Sequence, residues 1–261
     1  MNDSELPDFT DPPLKEVAIG VQFQPLPNFT QAGVGYFWNK IRSKYPKTQD
    51  QPRLESQGLE FGLREQNSFQ IEILGSAPIH RAWFTSADDQ DLLQIQEDRL
   101  IHNWRYNKAT YPHFPSLLER FLSDLQVLEA AANELDIAPV CYLSAEVTYV
   151  NWIQQAQSSG FLEFGPDLSP ALGLCTNQSW AGQFSMTTPF DAQANLIARK
   201  QPGLRSGSEM EEGVGLTLTY QAQIQERSQL DAVLLAGRQA IDSAFLDLTN
   251  DEMQASWGRT Q

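Results

Sequence analysis

Apolar and polar residues alternate with period two in three separate stretches of the chain, and each stretch predicts a strand with one dry face and one wet face. Val17, Ile19, Val21 and Phe23 alternate with Glu16, Ala18, Gly20 and Gln22. From a start at Val140, Leu143, Ala145, Val147 and Tyr149 alternate with Ser144, Glu146, Thr148 and Val150. The cleanest run sets Val214, Leu216, Leu218, Tyr220, Ala222 and Ile224 against Thr217, Thr219, Gln221 and Gln223. Shorter strands are expected at Ser68 to Leu74, Arg81 to Thr85, Gln183 to Thr187 and Asn195 to Arg199. Between Asp91 and Arg105 the apolar parity changes, because Leu93 and Ile95 share one parity and Leu100, His102 and Trp104 the other. A bulge near Glu97-Asp98 or a tight hairpin there accounts for the switch, although Glu-Asp is poor hairpin chemistry.

Helical spacing separates these strands. Within Thr30 to Tyr45, residues Val34, Phe37, Trp38 and Ile41 fall at i, i+3, i+4 and i+7; Gly33 and Gly35 each weaken the helix by about 1 kcal/mol against alanine, and Pro46 ends it. Pro115 and the capping box Ser116-Leu117-Leu118-Glu119 introduce a stripe of Leu117, Leu118, Phe121, Leu122, Leu125 and Leu128. Ser228-Gln229-Leu230-Asp231 reads as the cap of a helix that turns Leu230, Val233, Leu234, Ile241, Phe245 and Leu248 inward. Thr249-Asn250-Asp251-Glu252 caps a final turn that ends at Gly258, and one further turn is expected over Leu168 to Leu172.

Together these elements predict an α+β protein: one domain over residues 1–261, with a large twisted antiparallel sheet of eight to ten strands covered on one face by long helices, in a saddle or helix-grip arrangement. The halves 14–137 and 140–258 repeat one order of strand, connection, antiparallel strands and capped helix, which suggests a pseudo-duplication resting on element order alone. Residues 1–13 read as a flexible tail, and Pro202 to Gly213 as a mobile hairpin loop. No apolar run reaches the ~20 residues of a membrane crossing, and the N-terminus lacks the pattern of a signal peptide, so no membrane partner and a cytoplasmic location are expected.

Charge narrows the partners. Thirty-three Asp and Glu against eighteen Lys and Arg give −15, which opposes direct binding to a phosphate backbone and favours a protein partner with a basic surface. Acidity at this level also serves solubility.

Reactive chemistry is sparse. His80, His102 and His113, with Cys141 and Cys175, form no zinc spacing, and neither Gly33-Val34-Gly35 nor Gly213-Val214-Gly215 completes a nucleotide motif, so no metal and no cofactor are expected. Cys141 reads as a small buried residue. The pairs Asp88-Asp89, Glu97-Asp98 and Glu211-Glu212 fall at turns or loops, where solvation accounts for them. Glu16 and Glu146 hold matching polar positions near the starts of the two half-leading strands and are the candidate acid/base carboxyls; as solvent-face residues they need no such role. No residue is assigned as catalytic. The strongest binding candidates are Asn103, Trp104, Arg105, Tyr149 and Asn151, since Asn103-Trp104-Arg105 and Tyr149-Val150-Asn151-Trp152 each set an amide beside an aromatic and one adds a guanidinium able to grip an anion. The same residues suit an edge-strand clasp inside the fold.

Pro12-Pro13-Leu14-Lys15-Glu16-Val17, Phe37-Trp38-Asn39-Lys40-Ile41, Arg81-Ala82-Trp83-Phe84, Leu93-Gln94-Ile95-Gln96, Asn103-Trp104-Arg105, Phe245-Leu246-Asp247-Leu248-Thr249 and Trp257-Gly258 resemble a sporadically distributed family of uncharacterised bacterial proteins of similar length. The resemblance covers nearly the whole chain and brings no catalytic residues; the patchy distribution implies mobile genes such as toxin–antitoxin or phage-defence modules. The functional expectation is therefore a non-catalytic acidic regulator of another protein, antitoxin-like or part of a defence module. Two alternatives stand beside it: a small-molecule or anion sensor whose pocket between sheet and helices is lined by Trp104, Arg105, Tyr149 and Asn151, and an enzyme that uses Glu16 or Glu146 with Arg105 as an anion clamp.

Overall fold

The computed structural model describes residues 9–27, 29–54, 81–108, 110–154, 184–191, 194–205 and 211–260. The expected strand at Ser68 to Leu74 and the turn at Leu168 to Leu172 lie outside them. In chain order the elements are β1 (Leu14–Phe23), α1 (Gln31–Ile41), β2 (Lys47–Gln51), β3 (Arg81–Thr85), β4 (Asp91–Gln96), β5 (Arg99–Arg105), α2 (Phe114–Glu134), β6 (Tyr142–Gln154), β7 (Phe184–Asp191), β8 (Ala194–Arg205), β9 (Glu211–Gln223), α3 (Leu230–Leu248) and α4 (Asp251–Ser256).

The fold is α+β. Among the described residues nine strands join one sheet in the order β2-β3-β4-β5-β1-β6-β9-β8-β7, and every neighbouring pair is antiparallel. The order mirrors itself about the central β1–β6 pair: β5, β4 and β3 step away on one side as β9, β8 and β7 do on the other. Partners directly opposite in an antiparallel pair point to the same face, so the register carries one dry row across the sheet. Leu93, His102, Ile19, Val147, Tyr220 and Leu196 follow each other strand by strand. On that side Phe37 of α1 meets Phe84, Asp124 of α2 reaches toward His102, and Gly237 of α3 lies against Tyr220 and Val147. The helices thus cover the dry face. Among the described residues no helix is long and apolar enough to cross a membrane.

Several local expectations are resolved or corrected. The parity switch after Gln96 is a tight hairpin, with Gln96 paired to Arg99. Neither turn residue has a positive φ. Contacts from outside the hairpin hold the turn instead: the Phe23 N–H donates to the Asp98 carbonyl at 2.9 Å, and the Leu26 N–H to that of Glu97 at 2.9 Å. Nor is the Asp98 carboxyl solvated; it is buried, accepting from Gln96 Nε2 at 3.0 Å and Arg99 Nε at 3.0 Å. The helix expected to open at the Ser116 box starts two residues earlier, because Phe114 is buried and Pro115 has no N–H to satisfy. Ahead of α3 the cap also shifts: Gln229 Oε1 accepts from the N–H groups of Gln225 at 2.7 Å and Glu226 at 3.0 Å, and Ser228 is not the cap. At α4, Asn250 accepts from the Met253 N–H at 2.9 Å, as a capping residue should.

Further corrections concern edges and ends. Leu143 shares the inward parity of Ala145 and Val147 in sequence, but a register shift pairs Phe23 with Tyr142 and leaves Leu143 exposed. Cys141 is exposed rather than buried, and Leu248 is also exposed. The all-polar edge strand β2 carries no alternation that would have announced it. Residues 202–205 and 211–213, expected in a loop, extend β8 and β9 in register. The tail reading fails for residues 9–13: Phe9 bridges Arg259, and the N–H groups of Thr10 and Asp11 donate to the carbonyls of Gly258 at 3.1 Å and Trp257 at 3.0 Å.

Candidate functional site

Val17 of β1 lies between Trp104 of β5 and Tyr149 of β6, so all three side chains project from the dry face. Two residues further along β6, Asn151 keeps the parity of Tyr149, and a register irregularity in β1 pairs Leu14 with it on the same side. Three of the five binding candidates therefore converge where the central strands end. The other two do not. Consecutive strand residues point to opposite faces, and Asn103 and Arg105 pair with Ala18 and Glu16 on the far side of the sheet. Arg105 is accordingly removed from the pocket that the sequence assigned to it.

Trp104, Tyr149 and Asn151 line a cavity of about 490 Å³. The volume falls within the ~300–1,000 Å³ of small-molecule sites. Leu14 completes the floor, and Ile241 and Phe245 of α3 form one wall. A second wall comes from the segment Phe9 to Pro12, fixed to the chain end by its backbone bonds to Trp257 and Gly258 and by the Phe9 ring packing edge-on to Phe245 at 5.7 Å and Trp257 at 6.4 Å. The connection from β5 to α2 makes the third. It begins with the Tyr106 N–H donating to the Lys15 carbonyl at 2.8 Å and reverses at Lys108 and His113, both at positive φ. A non-glycine residue held in such a sparsely populated conformation stores on the order of 1–3 kcal/mol of strain, and the reversal brings Tyr111 edge-on against Trp104, ring centroids 5.2 Å apart.

The polar groups are specific. Tyr111 and Tyr149 share a hydroxyl hydrogen bond at 3.2 Å. Burial is the main cause that raises both phenols above their ordinary range, so both stay protonated. On α3, Arg238 Nε and Asp242 Oδ2 stand 3.4 Å apart, four residues from one another, and the guanidinium lies 5.8 Å from the Phe114 ring centre. Asn151 Nδ2 donates to the Leu216 carbonyl at 3.3 Å. The Trp104 indole N–H is buried and has no acceptor among the described residues. Lys108 and Asp11, both exposed, stand at the rim with His113. The sequence reading missed Tyr111, Arg238 and Asp242. An i, i+4 charge pair on an otherwise apolar helix face was the one available signal, and nothing local singled out Tyr111.

On the opposite face the two candidate carboxyls sit symmetrically. Glu16 and Glu146 lie two residues to either side of the Ala18–Thr148 pair. Asn103 Nδ2 donates to Glu16 at 2.5 Å, and Gln221 Nε2 to Glu146 at 2.7 Å. Burial raises the Glu16 pKa, opposed by the Asn103 hydrogen bond and the Arg105 charge. Four strand residues separate the two backbone positions by ~13 Å, against roughly 5–10 Å between paired carboxyls in acid/base chemistry. They are two independent groups, each clasped to its own amide.

A second buried polar cluster joins the turn after α1, α2 and the sheet. Asp124 of α2, 2% exposed, accepts from Tyr45 Oη at 2.6 Å and Lys44 Nζ at 2.8 Å. His102 Nε2 stands 3.0 Å from Asp91, which also accepts from Arg120 Nη1 at 3.0 Å. His102 on the dry parity and Asp124 within an apolar stripe were its sequence traces. The cluster lines no part of the cavity. Among the described residues, no group of three His, Cys, Asp or Glu side chains could hold a metal ion.

No family model and no curated protein matches the chain.

Proposed function

We propose that the protein binds a small molecule in the cavity bounded by the β1, β5 and β6 strand ends, the Phe9 to Pro12 segment, the Tyr106 to His113 connection and α3, and that binding is its task rather than catalysis. One observation carries this reading: sequence-distant aromatic and amide side chains converge on a preformed space of ligand size. The protonated tyrosine pair and the Arg238–Asp242 pair supply fixed hydrogen-bonding and charged groups, without the nucleophile-and-base contact that covalent chemistry requires. The alternative of an acidic regulator of another protein, antitoxin-like or in a defence module, draws on the net charge rather than on a built site.

A thermal-shift screen against a metabolite library tests the proposal. A ligand at 100 times its Kd adds about 2.7 kcal/mol, a rise of roughly 5–10 °C for a domain of this size. Tyr111→Ala should abolish the rise, and Arg105→Ala, on the other face, should leave it intact. Absence of any ligand, together with co-purification of a basic protein whose binding weakens steeply with salt, would favour the regulator.

A further inference from the structure

Resting on that reading, we infer that the ligand is an uncharged, planar aromatic or heteroaromatic compound carrying a carbonyl-type acceptor such as an amide or lactam. Shape gives the first part. Tyr111 lies against Trp104, while Phe9 packs on Phe245, so flat apolar surfaces border the space on two sides. Flat rings complement such walls by offset or edge contact.

Charge gives the second. The lining holds two carboxyls, Asp11 and Asp242, and two cations, Lys108 and Arg238, which cancel. Arg238 and Asp242 are already paired with each other. Lys108 and Asp11 are exposed at the rim, so an ionised group carried to the buried end would meet only the Arg238–Asp242 pair, and desolvating a charge that gains no partner of its own is costly.

Hydrogen bonding gives the third. The two tyrosine hydroxyls hold two protons between them, and their mutual bond uses one. Among the described residues neither hydroxyl has another hydrogen-bond partner. The Trp104 indole N–H, in a ring that packs edge-on with Tyr111, is buried without an acceptor among the described residues. This end of the cavity therefore has a surplus of neutral donors, and a buried donor left unmet costs about 1–3 kcal/mol. A carbonyl oxygen answers that surplus.

Calorimetric titration of the full chain with three compounds that share one ring is the test: indole-3-acetamide, indole-3-acetate and 3-methylindole. The amide should bind at least tenfold more tightly than either the acid, which adds a charge, or 3-methylindole, which lacks the acceptor. Trp104→Phe should weaken the amide at least fivefold and leave 3-methylindole unchanged. If that variant does not fold, Tyr149→Phe, which removes only a hydroxyl, carries the same expectation. Equal or tighter binding of the acid, or parity between amide and 3-methylindole, overturns the inference while leaving the cavity as a ligand site. Failure of all three compounds while the library screen finds a ligand of another class overturns the inference alone. Failure of every compound overturns both.

Discussion

Two helical glycines that look alike in sequence should respond in opposite directions to an added methyl group. Glycine inside a helix is less stable than alanine by roughly 0.5–1 kcal/mol. A Cβ on Gly35 meets nothing within 4 Å, so Gly35→Ala should stabilise the protein by about that amount. A Cβ on Gly237 would fall 2.7 Å from the Tyr220 ring and 3.2 Å from Val147. Relief requires α3 to rise from the sheet, and Gly237→Ala should cost ~1–3 kcal/mol as overpacking does. Urea midpoints measure both, and equal shifts would contradict the close approach of α3 to β6 and β9. Asp124 offers a polar counterpart. Burial first, then the adjacent carboxylate, raises the Tyr45 phenol and keeps it a donor. Asp124→Ala leaves that buried hydroxyl unmet and should cost ~2–4 kcal/mol, whereas Tyr45→Phe should cost about 1 kcal/mol; a smaller loss for Asp124→Ala than for Tyr45→Phe would count against the network.

Among the elements, α2 is joined to the sheet by a contact with a definite pH signature. Burial alone would raise the Asp91 pKa, but the hydrogen bond and charge of His102, with the Arg120 charge, outweigh it, and the net shift is downward. A carboxyl with a lowered folded pKa contributes stability that is present above its unfolded value, about 3.9, and lost as pH falls through the folded value. The Arg120 side chain is 36% exposed, so Arg120→Gln should cost only ~0.5–1 kcal/mol near neutrality. That gap should close as the solution is acidified through the Asp91 titration, and denaturation midpoints from about pH 7 down to pH 2.5 follow it. A gap independent of pH would place the Arg120 effect elsewhere. Much of the element pattern was legible: β1 and β9 announce their buried faces by strict alternation, and the β4–β5 parity switch announced a break. What sequence could not convey was the nature of that break, because the Glu97-Asp98 turn is secured by Phe23 and Leu26, residues remote in the chain. Likewise β2 exists because β3 offers an edge to pair with, not because Lys47–Gln51 has any preference of its own.

At the scale of the whole molecule the cavity depends on long-range order in the chain. Trp104, Tyr149 and Asn151 were recognisable as unusual residues, yet grouping them with Asn103 and Arg105 ignored the period-two rule that sends neighbours to opposite faces. Only the β5-β1-β6 order shows which of them meet. The two ends of the described chain then close one wall, since Phe9 packs on Phe245 and Trp257 while Thr10 and Asp11 bond to the turn after α4. Removing the Phe9 ring should therefore release α4 and the wall together, without reaching the central strands. For Phe9→Ala, hydrogen exchange should accelerate roughly 10- to 30-fold over residues 253–259, the effect of about 1.4–2 kcal/mol of lost local stability. Protection in β1, β5, β6 and β9 should be unchanged, because those strands are held by pairing and by α2 and α3. Uniform acceleration across the sheet would mean instead that the terminal clasp belongs to the global folding unit, and that the cavity cannot open without unfolding the protein.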